Sequence, residues 1–305
     1  RELADFFGCK NGMVFSTGYI ANLAMLSALT GPGDVLLIDA DSHASIYDGC
    51  RLSGADVIRF RHNDPDNLAK RLQRLGERSA NTLIVVEGIY SMMGDRAPLA
   101  EIVGVKEKYG ACLLVDEAHS LGVLGPKGCG LAEEAGVKDR VDFVVGTFSK
   151  SLGAIGGFCV SNHPVMKMIP LAARPYIFTA SSSPSTIAST REALKVLKAR
   201  PELRRKLWDN AHNLYQQLKE LGFELGPEPS PVVAVRVANL DQAIAQWKGL
   251  LENGVYVNLV TPPATPDGGC LMRCSVSAGH SAEQIKQIGR AFATQRQAVE
   301  EMQTA

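Results

Sequence analysis

Residues 143–150 read Phe-Val-Val-Gly-Thr-Phe-Ser-Lys, and residues 112–119 read Cys-Leu-Leu-Val-Asp-Glu-Ala-His. Both stretches begin as continuous apolar runs and end in polar residues. A continuous apolar run is typical of a strand covered on both faces, and such strands build a largely parallel sheet flanked by helices. The polar residues after the runs should then lie at the carboxyl edge of the sheet, where open α/β sheets bind ligands.

The same pattern extends through the first half of the chain, where short β-rich runs alternate with helical stretches. The predicted strands are residues 13–17, 35–40, 56–60, 82–88, 112–116, 143–147 and 157–161, and predicted helices lie near 19–29, 68–75 and 99–109. This alternation predicts an α/β large domain over residues 1–182. The opening Arg1-Glu2-Leu3-Ala4 is typical of the middle of a helix, so we expect a further N-terminal segment before it.

The pattern changes after Ser182, where longer helices are followed by short strands. The predicted helices lie near 185–198, 203–221 and 282–300, and the predicted strands are 232–237, 255–260 and 271–276. This order predicts a smaller α+β domain over residues 183–305.

Composition excludes several classes of protein. The 305 residues carry 32 Lys+Arg against 32 Asp+Glu, so no field of one sign attracts nucleic acid or an anionic membrane. The seven cysteines are scattered, odd in number and without a C-x-x-C pair, which favours buried free thiols over disulfides or a structural zinc site. No signal peptide is visible, and no apolar run approaches the roughly 20 residues that span a bilayer. We expect a cytoplasmic protein with at most peripheral membrane contact.

Five groups of polar residues follow predicted strands, and we expect them to meet at one edge of the sheet. They are Ser16-Thr17-Gly18-Tyr19, Asp41-Ser42-His43, Glu87, Asp116-Glu117-Ala118-His119 and Thr147-Phe148-Ser149-Lys150. This recurrence indicates a ligand site more strongly than any one of the motifs.

Lys150 lies among small, hydroxylated or apolar neighbours, whereas most lysines lie on a solvated surface. A lysine in such surroundings is more readily deprotonated and can form a Schiff base with an aldehyde cofactor. Asp116 ends a predicted strand, where it could cap a helix or pair with a pyridinium nitrogen. That second pairing keeps the ring of pyridoxal 5'-phosphate protonated, so that the ring can accept electrons.

The other polar groups suit the remaining parts of the same cofactor, and each also has a plainer interpretation. Backbone N–H groups at Gly18 and Tyr19 could hold a phosphate at a helix start, or the helix could simply be capped there. The hydroxyls of Thr147 and Ser149 add donors. His43 could stack on the ring or be a surface histidine, and His119 could reach the phenolic oxygen or be a capping or core histidine.

A nucleotide-binding protein is the competing class, because Asp-Glu-Ala-His also spells a helicase motif. That interpretation needs an upstream Gly-x-x-x-x-Gly-Lys-Ser/Thr loop, and the sequence has none. The run Gly153-Ala-Ile-Gly-Gly157 is too short for a dinucleotide fingerprint and more plausibly forms a tight turn after the lysine.

Taken together, four motifs resemble those of the α-oxoamine synthases, a branch of the fold-type I pyridoxal-phosphate enzymes. The motifs are Phe-Ser-Thr-Gly-Tyr at 15–19, Asp-Ser-His-Ala-Ser at 41–45, Val-Asp-Glu-Ala-His-Ser at 115–120 and Gly-Thr-Phe-Ser-Lys-Ser at 146–151. Within the branch the chain is most similar to the bacterial serine palmitoyltransferases. Three stretches carry this: residues 174–181, residues 256–258 with Pro-Pro-Ala-Thr-Pro at 262–266, and Leu-Met-Arg-Cys-Ser at 271–275.

The resemblance implies a role for each site residue. Lys150 carries the cofactor and later moves the substrate Cα proton, while Asp116 pairs with the pyridine nitrogen. His119 and Thr147 are implied to contact the phenolic oxygen, and Gly18, Tyr19 and Ser149 the phosphate. His43 would contact the ring and the substrate carboxylate, and Arg273 would bind the same carboxylate. Thr179 would contact the phosphate that is bound by a partner subunit. Thr179 therefore implies an obligatory homodimer. Arg273 could instead be a structural arginine on a strand.

The implied reaction condenses L-serine with palmitoyl-CoA to 3-ketodihydrosphingosine, CoA and CO2, the first step of sphingolipid synthesis. Sister synthases such as glycine C-acetyltransferase or 8-amino-7-oxononanoate synthase, and a non-catalytic subunit, remain alternatives. One position departs from the pattern: Thr261 stands where serine palmitoyltransferases can carry an arginine.

Overall fold

The computed structural model describes residues 1–265 and 268–304, with side chains through residue 297. Pro266, the last proline of the 262–266 motif, and Ala305 lie outside the described residues. The chain forms two compact units: Arg1–Tyr90 with Arg96–Arg200, and Ser91–Asp95 with Pro201–Ala305.

The first unit is built on a seven-stranded sheet in the order β1-β7-β6-β5-β4-β2-β3. The strands are β1 Asn11–Phe15, β2 Val35–Asp39, β3 Asp56–Phe60, β4 Thr82–Glu87, β5 Cys112–Asp116, β6 Phe143–Thr147 and β7 Gly157–Ser161. Neighbouring strands from β3 to β6 pair in parallel, while β7 is antiparallel to both β6 and β1. All strands except β7 therefore run in one direction, and their carboxyl ends share one edge.

Helices flank this sheet, and the longer ones bury apolar side chains against it. They are α1 Glu2–Phe7, α2 Gly18–Leu29, α3 Ala44–Ser53, α4 Pro65–Leu75, α5 Leu99–Tyr109, α6 Leu131–Glu134, α7 Ile169–Ala172, α8 Arg174–Ile177 and α9 Pro184–Ala199. The helix α2 packs Ala21, Met25 and Leu26 into the main core against the strands. Its start is fixed by Thr17, whose hydroxyl accepts the Ile20 N–H at 3.0 Å.

The second unit has its own sheet and its own core. Strands β8 Val232–Val237, β9 Asn258–Val260 and β10 Cys270–Ser275 form an antiparallel sheet in the order β8-β10-β9. Helices α10 Pro201–Glu220, α11 Leu240–Glu252 and α12 Ala282–Thr304 supply the other elements of this unit. Leu214, Val235, Met272 and Phe292 are buried together at its centre.

The two compact units divide the chain after Arg200, since α9 belongs to the first unit, whereas the sequence pattern changes after Ser182. Leu194 of α9 packs with Leu3 and Phe6 of α1, and Arg191 forms an ion pair with Glu2 at 2.5 Å. Within residues 1–265 and 268–304, no helix combines the length and the apolar character needed to cross a membrane.

Candidate active site

The five predicted polar groups follow β1, β2, β4, β5 and β6, so the fold brings them to the same edge of the sheet. Asp116 is the last residue of β5, and its side chain is almost fully buried. One carboxylate oxygen accepts the Ala118 N–H at 2.9 Å, and the other accepts the Asn22 amide at 2.7 Å. A turn rather than a helix follows the strand, so Asp116 is not a helix cap.

His43 is the N-cap residue of α3 and is held at both its main chain and its ring. Its main-chain N–H donates to Glu87 Oε1 at 2.5 Å. Its ring Nδ1 accepts the Ser45 N–H at 3.2 Å and lies 2.8 Å from Ser45 Oγ. Desolvation lowers the pKa of His43, and the positive charge of Lys150 lowers it further, against the opposing effect of Asp116. The edge of the Tyr19 ring approaches the imidazole with ring centres 6.3 Å apart.

Glu87 places a second buried carboxyl beside Asp116, since β4 and β5 pair these two residues in register. Only 3% of Glu87 is exposed. Burial raises the pKa of Glu87 well above its usual range, and the charge of Asp116 raises it further, while the His43 N–H and Lys150 oppose the rise. Two neighbouring carboxyls in a desolvated place cannot both ionise easily, so Glu87 favours its neutral form.

Lys150 lies at the start of a tight turn, as the glycines after it predicted. Phe148 N–H donates to the Gly156 carbonyl at 2.9 Å, and Ala154 N–H donates back to the Phe148 carbonyl at 2.9 Å. A Cβ on Gly156, whose φ is +143°, would lie 2.4 Å from the Phe148 ring. The turn leaves the Lys150 side chain exposed, near enough to His43 and Glu87 to affect the pKa of both.

The start of α2 and the end of β6 together form a cluster of hydrogen-bond donors. Thr147 Oγ1 and Ser149 Oγ lie 2.9 Å apart. Thr17 uses its hydroxyl and its carbonyl to accept the N–H groups of Ile20 and Ala21, which leaves those of Gly18 and Tyr19 outside this cap. Backbone N–H groups at the start of a twelve-residue helix suit an anion such as phosphate.

Tyr19 and Glu117 are held by contacts that the sequence did not predict. The Tyr19 hydroxyl donates to Asp48 of α3, which fixes the ring near His43. Glu117 is wholly buried and accepts the N–H groups of Leu131 and Ala132 at 2.8 and 2.9 Å, together with the Ser120 hydroxyl. Glu117 therefore closes the loop after β5. His119, in the same turn, is partly buried.

Two predicted site residues, Thr179 and Arg273, do not belong to the five groups at the edge of the first sheet. Thr179 is exposed in the segment after α8. Arg273, on β10 of the second unit, is partly buried and donates from Nε to the Ser91 carbonyl at 2.6 Å. Burial lowers the pKa of its guanidinium.

Asn22 and Ser45 are site residues that sequence reasoning missed. Asn22 Nδ2 donates to Asp116 and, at 3.0 Å, to Ser45 Oγ, and both side chains are buried. A signal was present, because Asn22 is the one strongly polar residue in the run Ile20-Ala-Asn-Leu-Ala-Met25. A polar side chain in an apolar helix needs a buried partner.

Comparisons with known proteins show the family and the fold of this chain. The family model described as "Aminotransferase class I and II" matches residues 1–292. A serine palmitoyltransferase of Caulobacter vibrioides is 59% identical over 96% of this chain and 72% of its own length. An 8-amino-7-oxononanoate synthase of Alkaliphilus metalliredigens is 40% identical over 96% of this chain and 74% of its own. A solved serine palmitoyltransferase from Sphingomonas paucimobilis, with bound PLP-myriocin aldimine, superposes with a TM-score of 0.95 at 50% identity, covering 98% and 75% of the two chains.

Proposed function

Since this chain belongs to the class I and II aminotransferase family, we infer that it is a pyridoxal-phosphate-dependent acyltransferase that condenses L-serine with a long-chain acyl-CoA. The products are 3-ketodihydrosphingosine, CoA and CO2 when the acyl donor is palmitoyl-CoA. The observation that carries the inference is the 59% identity to a serine palmitoyltransferase over 96% of the chain. The predicted fold, that of the fold-type I pyridoxal-phosphate enzymes with a mainly parallel sheet, is confirmed.

The residues at the sheet edge fit the parts of pyridoxal phosphate. An amine at Lys150 suits its aldehyde, the buried Asp116 suits its pyridine nitrogen, and the start of α2 with Ser149 suits its phosphate. We propose that His119 and Thr147 contact its phenolic oxygen and that His43 covers its ring. When bound, this cofactor accepts the electrons left at the substrate Cα, which makes the condensation possible.

The chain's own groups supply the proton transfers and the orientation. Lys150 Nζ takes the proton from the serine Cα, and general-base help of this kind contributes about 10²- to 10⁴-fold in rate. Asp116 keeps a proton on the pyridine nitrogen because its buried carboxylate favours a cationic partner. His43 and Arg273 are the proposed contacts of the serine carboxylate, the latter through a guanidinium fork that matches a carboxylate.

We further propose that the enzyme acts as a homodimer in the cytoplasm. Thr179 would reach the phosphate site of the partner subunit, which agrees with its exposed position. A reducing compartment agrees with seven free cysteines, five of them buried. Contact with a membrane would be peripheral at most.

The direct test is the variant Lys150→Ala. Borohydride reduction of the wild-type protein should attach one pyridoxyl phosphate to the peptide that contains residue 150, and the variant should carry none and make no 3-ketodihydrosphingosine. Lys70→Ala, which removes an exposed lysine on α4, is the matched control and should behave as wild type. Turnover retained in Lys150→Ala would overturn the assignment. A preference for alanine or glycine over serine would instead indicate a sister synthase.

A further inference from the structure

A chain of hydrogen bonds joins Asp116 to the ring of His43. Asp116 Oδ2 accepts from Asn22 Nδ2 at 2.7 Å, and the same nitrogen lies 3.0 Å from Ser45 Oγ. Ser45 Oγ in turn lies 2.8 Å from His43 Nδ1. Asn22 and Ser45 are 2% and 1% exposed, so water does not compete readily for these bonds.

The direction of each bond follows from the chemistry of the groups. A carboxylate only accepts, so the Asn22 amide must turn its NH2 group toward Asp116. The second hydrogen of that NH2 group points to Ser45 Oγ, which therefore accepts. His43 Nδ1 already accepts the Ser45 main-chain N–H, so the Ser45 hydroxyl is the group that donates in its contact with Nδ1.

His43 Nδ1 also accepts a second bond, from the Ser45 main-chain N–H at 3.2 Å. This bond caps the start of α3, where the positive end of the helix dipole opposes a charged imidazole. A proton on Nδ1 would remove the bond from the main-chain N–H and would reverse the bond with the Ser45 hydroxyl. We propose that Asn22 and Ser45 are positioning residues that hold His43 in the neutral tautomer with its proton on Nε2.

The charged groups around His43 agree with that state. Lys150, after β6, opposes a second positive charge on the ring, and Asp116, at the end of β5, favours one. Glu87, at the end of β4, holds the His43 main chain rather than its ring. The balance is a lowered pKa for His43, caused mainly by desolvation.

The consequence, which rests on the proposed function, concerns the serine carboxylate. With Nδ1 unprotonated and acting as an acceptor, Nε2–H is the donor that His43 can offer to a ligand. A carboxylate accepts such a bond, whereas the other tautomer would present a lone pair to it. The Asn22–Ser45 pair therefore keeps His43 in the tautomer that can donate a hydrogen bond to an amino-acid carboxylate.

The test is ¹⁵N NMR of histidine-labelled protein, with and without pyridoxal phosphate, in which His43→Gln identifies the His43 signals among the six histidines. Wild-type protein at neutral pH should show an unprotonated Nδ1 and a protonated Nε2. Ser45→Ala should shift these signals toward a mixture of tautomers and raise the KM for serine about 3- to 10-fold, the effect of losing one hydrogen bond, with a smaller change in kcat.

Two further variants make the outcome decisive. Asn22→Leu should change the tautomer in the same direction and also weaken cofactor binding, since it removes a donor to Asp116. Ser53→Ala removes another buried serine hydroxyl of α3, bonded only to backbone groups, and should leave the His43 signals unchanged. A proton on Nδ1 in wild type, or unchanged signals in Ser45→Ala, would overturn the proposal. The expected signals in a protein that does not convert serine would leave it standing and refute the proposed function instead.

Discussion

Glu117 is an acidic residue with no exposed surface, and its carboxylate accepts three hydrogen bonds. Burial nevertheless outweighs these bonds and raises the pKa of Glu117 to about 7. The folded protein therefore holds a proton there at a pH where the unfolded chain has released it. This linkage contributes stability that is fully present at acidic pH, below the usual carboxyl pKa, and is lost as the pH rises through about 7.

Glu117→Gln tests this linkage. The wild-type free energy of unfolding should fall as the pH rises from 5 toward neutrality, by an amount on the order of 3 kcal/mol. Glutamine cannot ionise, so the variant should show a flatter dependence. The free energy of unfolding of the variant should also be about 1–3 kcal/mol lower than that of wild type at acidic pH, because one buried N–H loses its acceptor. Urea denaturation across this range measures both effects, and Glu101→Gln, on the exposed face of α5, should match wild type. A variant with the wild-type pH slope would refute the raised pKa.

The sequence predicts acidic, basic and aromatic site residues one at a time, but not the contacts between them. Lys150, Asp116 and His43 each lie at or just after the end of an apolar strand, and this position can be read from the sequence alone. The bond from Asn22 to Asp116 joins residues far apart in the chain, and only the packing of α2 against the sheet brings them together. Positioning residues of this kind carry little signal in local pattern.

Gly18 shows, at the scale of elements, how closely α2 approaches the sheet. A Cβ on Gly18 would lie 2.7 Å from Thr147 Cβ, so the helix start and the end of β6 would have to separate. Gly18→Ala should therefore lower the free energy of unfolding by about 1–3 kcal/mol through overpacking, despite the better helix propensity of alanine. It should also weaken binding of pyridoxal phosphate, since the helix start is the proposed phosphate site.

Equilibrium dialysis with pyridoxal phosphate and urea denaturation measure these two effects separately. Gly104→Ala is the matched control, because Gly104 lies in α5 with open space around its Cα. That variant should have the wild-type cofactor affinity, and its free energy of unfolding should rise by about 0.5–1 kcal/mol. If Gly18→Ala bound the cofactor as tightly as wild type, the helix start would not be the phosphate site.

Elements were predictable where their pattern was strong and local. Strands β3, β5, β6, β7 and β8 have their predicted bounds. Helix α11 was missed, although Leu240, Ile244, Trp247 and Leu251 recur at helical spacing after the capping residue Asn239. The strand predicted at 255–260 is shorter, beginning at Asn258.

The division of the whole molecule depends on contacts that a linear pattern does not contain. The change of pattern at Ser182 predicted a boundary there, yet α9 packs with α1 and remains in the first unit. The short stretch Ser91–Asp95 belongs to the second unit, where Met93 packs with Ala234 and Leu271. Packing between segments that are far apart in the sequence can be seen only in the three-dimensional structure.

Several exposed apolar side chains within residues 168–179 support the proposed homodimer. Met168, Leu171 and Phe178 are 57%, 74% and 75% exposed, and Thr179 follows them directly. Large apolar side chains grouped in this way indicate an interaction surface, and a second copy of the chain would cover them while bringing Thr179 to its neighbour. The double variant Leu171→Asp, Phe178→Asp should therefore weaken dimerisation.

Burial of each of these side chains contributes about 1.5–3 kcal/mol, so the dissociation constant of the dimer should rise on the order of 100-fold or more. Light scattering across a concentration series measures this change, and dialysis should show weaker cofactor binding in the same variant, because the partner's Thr179 would leave the phosphate site. Leu240→Asp, an exposed leucine of the second unit, controls for added charge and should remain dimeric. A double variant with wild-type mass and cofactor affinity would show that this segment lies outside the dimer interface and that each site is complete within one chain.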